Sequence, residues 1–257
     1  MSDFDINNKV VQTNELVREA NWTLDTVSLK LFKTLVSCIN TLDPPEDNTV
    51  SISKKELYDL LGSDSKNNYD YLKNKLRALQ GTTIKLHDNT EEEAYITLIT
   101  KTVWRKKENI VSCTFNEEIM PYLIEMHALF LQYEVGNIKK IDTKYGLILY
   151  EYLLSMARQE QATATNPKYE YKISMKRLRG LTGTEKKYKL FKDFEKKVLR
   201  NAEQDINTAG VEYLMKYTKN KIGRSIEAIT FNIRVRTSIL EDKFFEIKNP
   251  NLMDQSI

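Results

Sequence analysis

The chain carries one short module twice. Ser51–Gly62 (SISKKELYDLLG) and Lys172–Gly183 (KISMKRLRGLTG) align at a constant offset of 121 residues, which matches Leu57, Leu60 and Gly62 to Leu178, Leu181 and Gly183. Each copy opens on a β-like stub and a serine, continues as a short helix, and stops at glycine. Ser53 and Glu56 have the spacing of a capping box, in which hydroxyl and carboxylate satisfy each other's backbone amides. In the second copy Arg177 stands where the glutamate would be, so Ser174 can supply only half of that device. Two copies so far apart in 257 residues call for two similar cores rather than one.

Around each copy the periodicities follow one order. Thr26–Asn40 reads as a helix through Leu31, Phe32, Leu35, Val36 and Ile39, ended by the Pro44-Pro45 region. Asn68–Gln80 is a second, with Tyr69, Leu72, Leu76 and Leu79 as an apolar stripe, leaving Lys73, Asn74 and Arg77 on the opposite side and Tyr71 and Lys75 on its flank. After Gly81 the period changes to that of strands. Thr83–Leu86 and Tyr95–Trp104 read as two runs around a polar tip at His87–Glu93, and Ile110–Phe115 as a third. In the second half, Lys144–Arg158 reads as a helix, Gln159–Pro167 as a loop, and Tyr188–Asn207 as a long basic helix. Val211–Thr218 and Ser225–Val235 follow as paired strands around a tip at Lys219–Arg224.

Helix, helix, helix and hairpin is the order of a winged helix, in which the third helix enters the major groove. The expected fold is therefore α+β, two tandem winged-helix (winged helix-turn-helix) domains related by the internal repeat. The divisions expected are residues 1–131 for the first domain, 132–143 for a connector, 144–240 for the second domain and 241–257 for a peripheral tail. The first dozen residues read as loosely held, with Trp22 the first anchor.

Net charge is only +3, which argues for no partner, but its distribution does. Lys168–Arg200 holds twelve basic residues and four acidic ones, a local cationic surface of the kind that meets phosphates. Cys38 and Cys113 have no Cys-x-x-Cys or Cys/His cluster around them, so no structural metal or other cofactor is expected. The absence of His-x-His beside a tyrosine argues against a rolling-circle nickase, and the absence of a phosphate-binding Gly-Lys-Ser/Thr loop argues against an ATPase. The expectation is a non-enzymatic, cytoplasmic protein with no membrane partner.

Several stretches carry a resemblance: Asn14–Ala20, Phe115–Tyr133 (FNEEIMPYLIEMHALFLQY), Ile138–Leu154 (IKKIDTKYGLILYEYLL) and Tyr188–Asn207 (YKLFKDFEKKVLRNAEQDIN). Together, from Val11 to Val235, they resemble the plasmid replication initiators of the Rep family, iteron-binding proteins with two winged-helix domains. Lys144-Tyr145-Gly146 with Leu149-Tyr150-Glu151 is similar to the opening of that family's second domain. The resemblance implies binding of double-stranded DNA at repeated origin sites, opening of the adjacent duplex, and recruitment of host replication proteins such as a helicase or initiator. It also implies autorepression and a homodimer in equilibrium with monomer. Thr26–Asn40 and the strands after Thr83 would then be either a dimer surface or simply core. The alternative is a pure transcriptional repressor or partition-type DNA binder without initiator activity.

The residues expected on the DNA are Lys189, Lys192, Lys196 and Arg200 from the long helix, Lys219, Lys221 and Arg224 from the tip, and Tyr71, Lys73, Asn74 and Arg77 from the first module. Arginine and asparagine have the paired geometry that guanine and adenine edges need, so Arg77, Arg200 and Asn74 are the base-reading candidates.

Overall fold

In a computed structural model of the chain, which describes residues 2–61, 69–88, 93–124, 130–159 and 167–236, the sequence repeat is a repeat of topology. In the first module α2 (Thr26–Ser37) leads to β2 (Thr49–Ser53), α3 (Lys54–Leu61) and α4 (Tyr69–Gln80). Two hairpins follow, β3 (Thr83–Asp88) with β4 (Glu93–Thr97), and β5 (Ile99–Arg105) with β6 (Ile110–Phe115). The second module repeats the order with α7 (Lys144–Gln159), β8 (Lys168–Ser174) and α8 (Met175–Leu181). A continuous helical run comes next, made of α9 (Phe191–Phe194), a π-helical segment at Glu195–Arg200 and α10 (Asn201–Ala209), and then the hairpin β9 (Tyr213–Ile222) and β10 (Ser225–Val235). The sheets have strand orders β2-β6-β5 and β8-β10-β9, so in each the stub strand pairs antiparallel with the last strand of its module. These are two winged-helix modules, as the order of periodicities predicts.

Local chemistry explains the repeat's helices. Ser53 Oγ accepts from Glu56 N at 3.2 Å and Glu56 Oε2 accepts from Ser53 N at 2.9 Å, completing the capping box. Ser174 Oγ accepts from Arg177 N at 3.2 Å, and the arginine side chain has no acceptor with which to return the bond. Leu57 and Leu178, at matching positions, are both buried. Gly62 lies outside the described residues.

Three differences from the sequence reading have physical causes. The opening residues are not loose: β1 (Lys9–Thr13) pairs antiparallel with β7 (Phe130–Glu134), burying Val10 and Gln12. That pairing places regular structure in Gln132–Thr143, expected as a connector, which also holds α6 (Gly136–Lys140). The run Tyr95–Trp104 is two strands in two sheets, because the chain bends at the fully buried Leu98. Of the tip expected at His87–Glu93, residues 89–92 lie outside the described residues. Of the two readings left open for Thr26–Asn40, helix α2 takes the core one, since it is buried from Ser28 through Ser37.

Helix α7 belongs to both cores. Its Tyr150 ring stacks on Tyr213 of the second module at 6.0 Å and meets Tyr133 of β7 edge-on at 5.2 Å. Short α1 (Asn14–Glu19) sits against it, with Arg18 donating to Ser155 Oγ and O at 3.0 and 2.8 Å. The modules therefore share buried structure rather than hanging on a linker. No described helix is long and apolar enough to cross a membrane.

Candidate nucleic-acid interface

The third helix of the second module divides into two faces. Phe194, Val198, Leu199, Ala202 and Ile206 are buried, whereas Lys192, Lys196, Lys197 and Arg200 are exposed. The helix starts later than its sequence pattern suggests, at Phe191 rather than Tyr188. Tyr188 takes a left-handed φ of +50°, and Arg179 holds the turn by donating to the carbonyls of Thr184, Lys187 and Tyr188 at 3.2, 2.9 and 2.9 Å. Lys189 thus precedes the helix, exposed, instead of riding on it. The π-helical turn spans Lys196 and Arg200, and such turns are frequent at functional sites.

The hairpin is pinned to this helix from behind. Asn207 donates to Met215 O and accepts from Met215 N, both at 2.8 Å, which fixes where β9 leaves the helix. Along β9, Tyr217 and Lys219 both donate to Glu195 Oε1 at 3.1 Å, and Arg200 lies 3.8 Å from the same oxygen. Burial pushes the Glu195 carboxyl up, but the bonds from Lys219 and Tyr217 outweigh it and hold the group below its ordinary value. The wing turn itself is short. Ile222 pairs with Ser225, and Gly223 (φ +61°) and Arg224 make the turn, so Lys219 and Lys221 lie on the strand rather than in a six-residue tip. Lys221 and Arg224 are exposed, whereas Lys219 folds back onto the helix.

In the first module Leu72, Leu76 and Leu79 are buried and Tyr71, Lys73, Asn74 and Arg77 are exposed along α4. Lys75 closes the flank, 2.7 Å from Asp25 and 5.4 Å from the Tyr71 ring centroid. The wing in the position corresponding to β9–β10 is β5–β6, whose exposed Lys106 and Lys107 sit at a turn closed by Asn109 in a left-handed conformation (φ +56°). The order of periodicities points to the earlier hairpin at Thr83–Trp104, so neither lysine is among the residues expected on the DNA, although a basic polar tip between Trp104 and Ile110 is visible in the sequence. Lys197 and Asn201 are not among the residues expected on the DNA. These line a cleft of about 380 Å³ with Thr23–Thr26, Asp142–Tyr145, Lys187 and Tyr188, facing the first module.

This doubled architecture matches known proteins in both halves. Residues 9–154 fit the family described as Initiator Replication protein, WH1, and residues 174–233 the one described as Initiator Rep protein, WH2. The chain belongs to the Rep initiator family. A curated Replication initiation protein of Escherichia coli is 25% identical over 209 residues, 79% of this Rep initiator but only 63% of that relative's length. Among solved structures, the Pi initiator protein in complex with iteron DNA superposes with a TM-score of 0.72 at 20% identity, covering 91% of this chain and 99% of that one. Domains 2 and 3 of RctB superpose at 0.50 with 14% identity, covering 82% and 80%. These structural likenesses establish the fold. The two modules of a Rep initiator are binding modules rather than catalytic ones. Among the described residues no three His, Cys, Asp or Glu side chains gather to hold a metal.

Proposed function

We propose that this Rep initiator binds double-stranded DNA at repeated short sites in a replication origin, each module placing its third helix in the major groove. The observation that carries the reading is the division of the Phe191–Ala209 helix. Its apolar residues are sealed in the core while Lys192, Lys196 and Arg200, with Lys189 before them and Lys221 and Arg224 on the wing, face solvent. Phosphate contact from such a surface supplies affinity and register, and base-edge contact supplies sequence. The iteron DNA bound by the Pi initiator, whose fold this chain shares, supports the same class of ligand here.

Lys189, Lys192, Lys196, Lys221 and Arg224 are assigned to phosphate or groove contacts, with Lys219 a lesser contributor because Glu195 already holds it. Arg200, Arg77 and Asn74 are assigned to base edges, and Tyr71 and Lys73 complete the first module's surface. Opening of adjacent duplex, recruitment of host replication proteins, and autorepression by a homodimer in equilibrium with monomer belong to the same proposal. Two heads on a shared helix suit one long site, since successive major-groove faces lie about 34–36 Å apart.

Footprinting on the DNA surrounding the protein's own gene, from low to physiological salt against an unrelated duplex, tests this. Periodic protection of direct repeats is the expected result. Protection of one inverted repeat alone would favour a pure repressor, and no protection at low salt would overturn DNA binding altogether.

A further inference from the structure

Ile222 and Leu190 are the most exposed large apolar side chains among the described residues, at 74% and 69%. Leu190 is the harder to account for. It occupies the position that caps the Phe191–Ala209 helix, and it makes no side-chain cap bond there. Serine, threonine, aspartate or asparagine stabilises that position by accepting from the first amides, and leucine cannot. The fold thus gains no cap and little buried surface from this side chain.

Its setting is nonetheless fixed. The Arg179 bonds hold the turn before it, the Tyr145 ring meets Tyr188 edge-on at 6.3 Å, and the Arg179 guanidinium lies 4.6 Å over Phe194. Leu190 O accepts from Asp193 N and Phe194 N at 3.1 and 3.2 Å, so the residue is the rigid first step of the helix.

The neighbours indicate what it faces. Lys189 and Lys192 are exposed beside it, and so is Asp193. A phosphate row would be repelled by Asp193 and would gain nothing from leucine. Base edges in the major groove suit the whole set: thymine offers its C5 methyl to an apolar side chain, cytosine its N4 amine to a carboxylate, and guanine its acceptors to a cation. In helix-turn-helix docking, it is the N-terminal residues of the recognition helix that meet those edges. Ile222, on the wing, lacks this placement.

We propose that Leu190 is a specificity-determining residue of the second module that packs against the C5 methyl of a thymine in the major groove. The inference rests on the duplex-binding reading above and adds one atom-level contact to it.

Replacing thymine by deoxyuridine removes that methyl and nothing else. The full chain is titrated against a duplex carrying the footprinted site, with each thymine replaced in turn. For the wild type, one replacement is expected to weaken binding about fourfold, the worth of one buried methyl. Leu190→Ala is expected to bind the all-thymine duplex more weakly and to ignore that same replacement. Leu190→Ser is expected to lose the same sensitivity while its thermal midpoint stays level or rises through better capping, which separates lost reading from lost folding. If wild type and Leu190→Ala share one uridine profile, the contact does not exist, including the case in which Leu190→Ala fails only in binding another protein. If the wild type binds no duplex, the functional reading falls and this inference with it.

Discussion

Lys33 Nζ lies 2.9 Å from the Glu151 carboxylate, and both side chains are sealed from solvent. One sits on α2 of the first module and the other on α7, which opens the second. Gln12 bridges them, accepting from Lys33 at 2.7 Å and donating to Glu151 at 2.8 Å, while Tyr133 donates to the same carboxylate at 2.6 Å. The Trp22 ring lies 4.3 Å from the ammonium. Burial pulls the Lys33 pKa down and the attraction of Glu151 works against that shift. Such a pair adds little net stability over an apolar pair, but losing one partner strands the other charge. Lys33→Met alone is expected to cost about 3–5 kcal/mol, and Lys33→Met with Glu151→Leu to recover most of it. Urea unfolding of the wild type and these two variants reads both numbers, and a double variant no better than the single one would deny that the pair acts as a unit.

A second device joins the modules through a glycine. Gly183 has φ +61°, and a Cβ there would stand 2.7 Å from the Trp22 carbonyl oxygen of the first module. Gly210 at the end of α10 has φ +68° with open space around it. Gly210→Ala should therefore cost only the left-handed backbone penalty, about 1–2 kcal/mol. Gly183→Ala is expected to cost clearly more, because a backbone carbonyl must also move. Equal losses in chemical denaturation would mean that the two modules yield freely at this contact.

What the sequence made legible was local. The offset of 121 residues, the Ser53–Glu56 box and the Leu72–Leu76–Leu79 stripe are short-range patterns, and they carried the two-module fold and the outward turn of Lys73, Asn74 and Arg77. The failures were long-range. Lys9 pairs with Glu134 across β1 and β7, and no nine-residue periodicity announces such a partner. No local pattern announces that Lys33 and Glu151 form a buried pair. The Leu98 bend hides in an unbroken β-prone run, and Tyr188 leaves the helical pattern only because Arg179, a residue of α8, holds it.

Lys144 gives a pH signature. Its ammonium donates to Trp22 O at 3.0 Å, and burial foremost, with repulsion from Lys187, lowers its pKa from 10.5 to about 8. Below pH 8 the lysine is protonated both folded and unfolded, and its charge weakens the fold in full. Between about pH 8 and 10.5 the unfolded chain binds the extra proton, so this residue's contribution to stability rises with pH. The wild type is expected to gain on Lys144→Met across pH 7 to about 10 in urea unfolding, the buried tyrosines cancelling in the difference. A constant difference would mean that Lys144 titrates as an ordinary lysine.

Glu195 holds a negative charge on the proposed DNA-binding surface, between Lys219 at 3.1 Å and Arg200 at 3.8 Å. The arrangement ties wing to helix and orients Arg200, but it also cancels cations that phosphates would otherwise engage. Glu195→Gln leaves a partner for the Tyr217 hydroxyl and releases one net positive charge. Affinity for any duplex is expected to rise several-fold at low salt, with log K against log salt steeper by about 0.9 for each phosphate newly engaged. Discrimination between the footprinted site and an unrelated duplex is expected to fall, since phosphate contacts carry no sequence. Affinity titrations on both duplexes at several salt concentrations decide it. An unchanged slope with weaker binding would show that Glu195 matters for holding the wing in place, and that Lys219 and Arg200 are not restrained phosphate contacts.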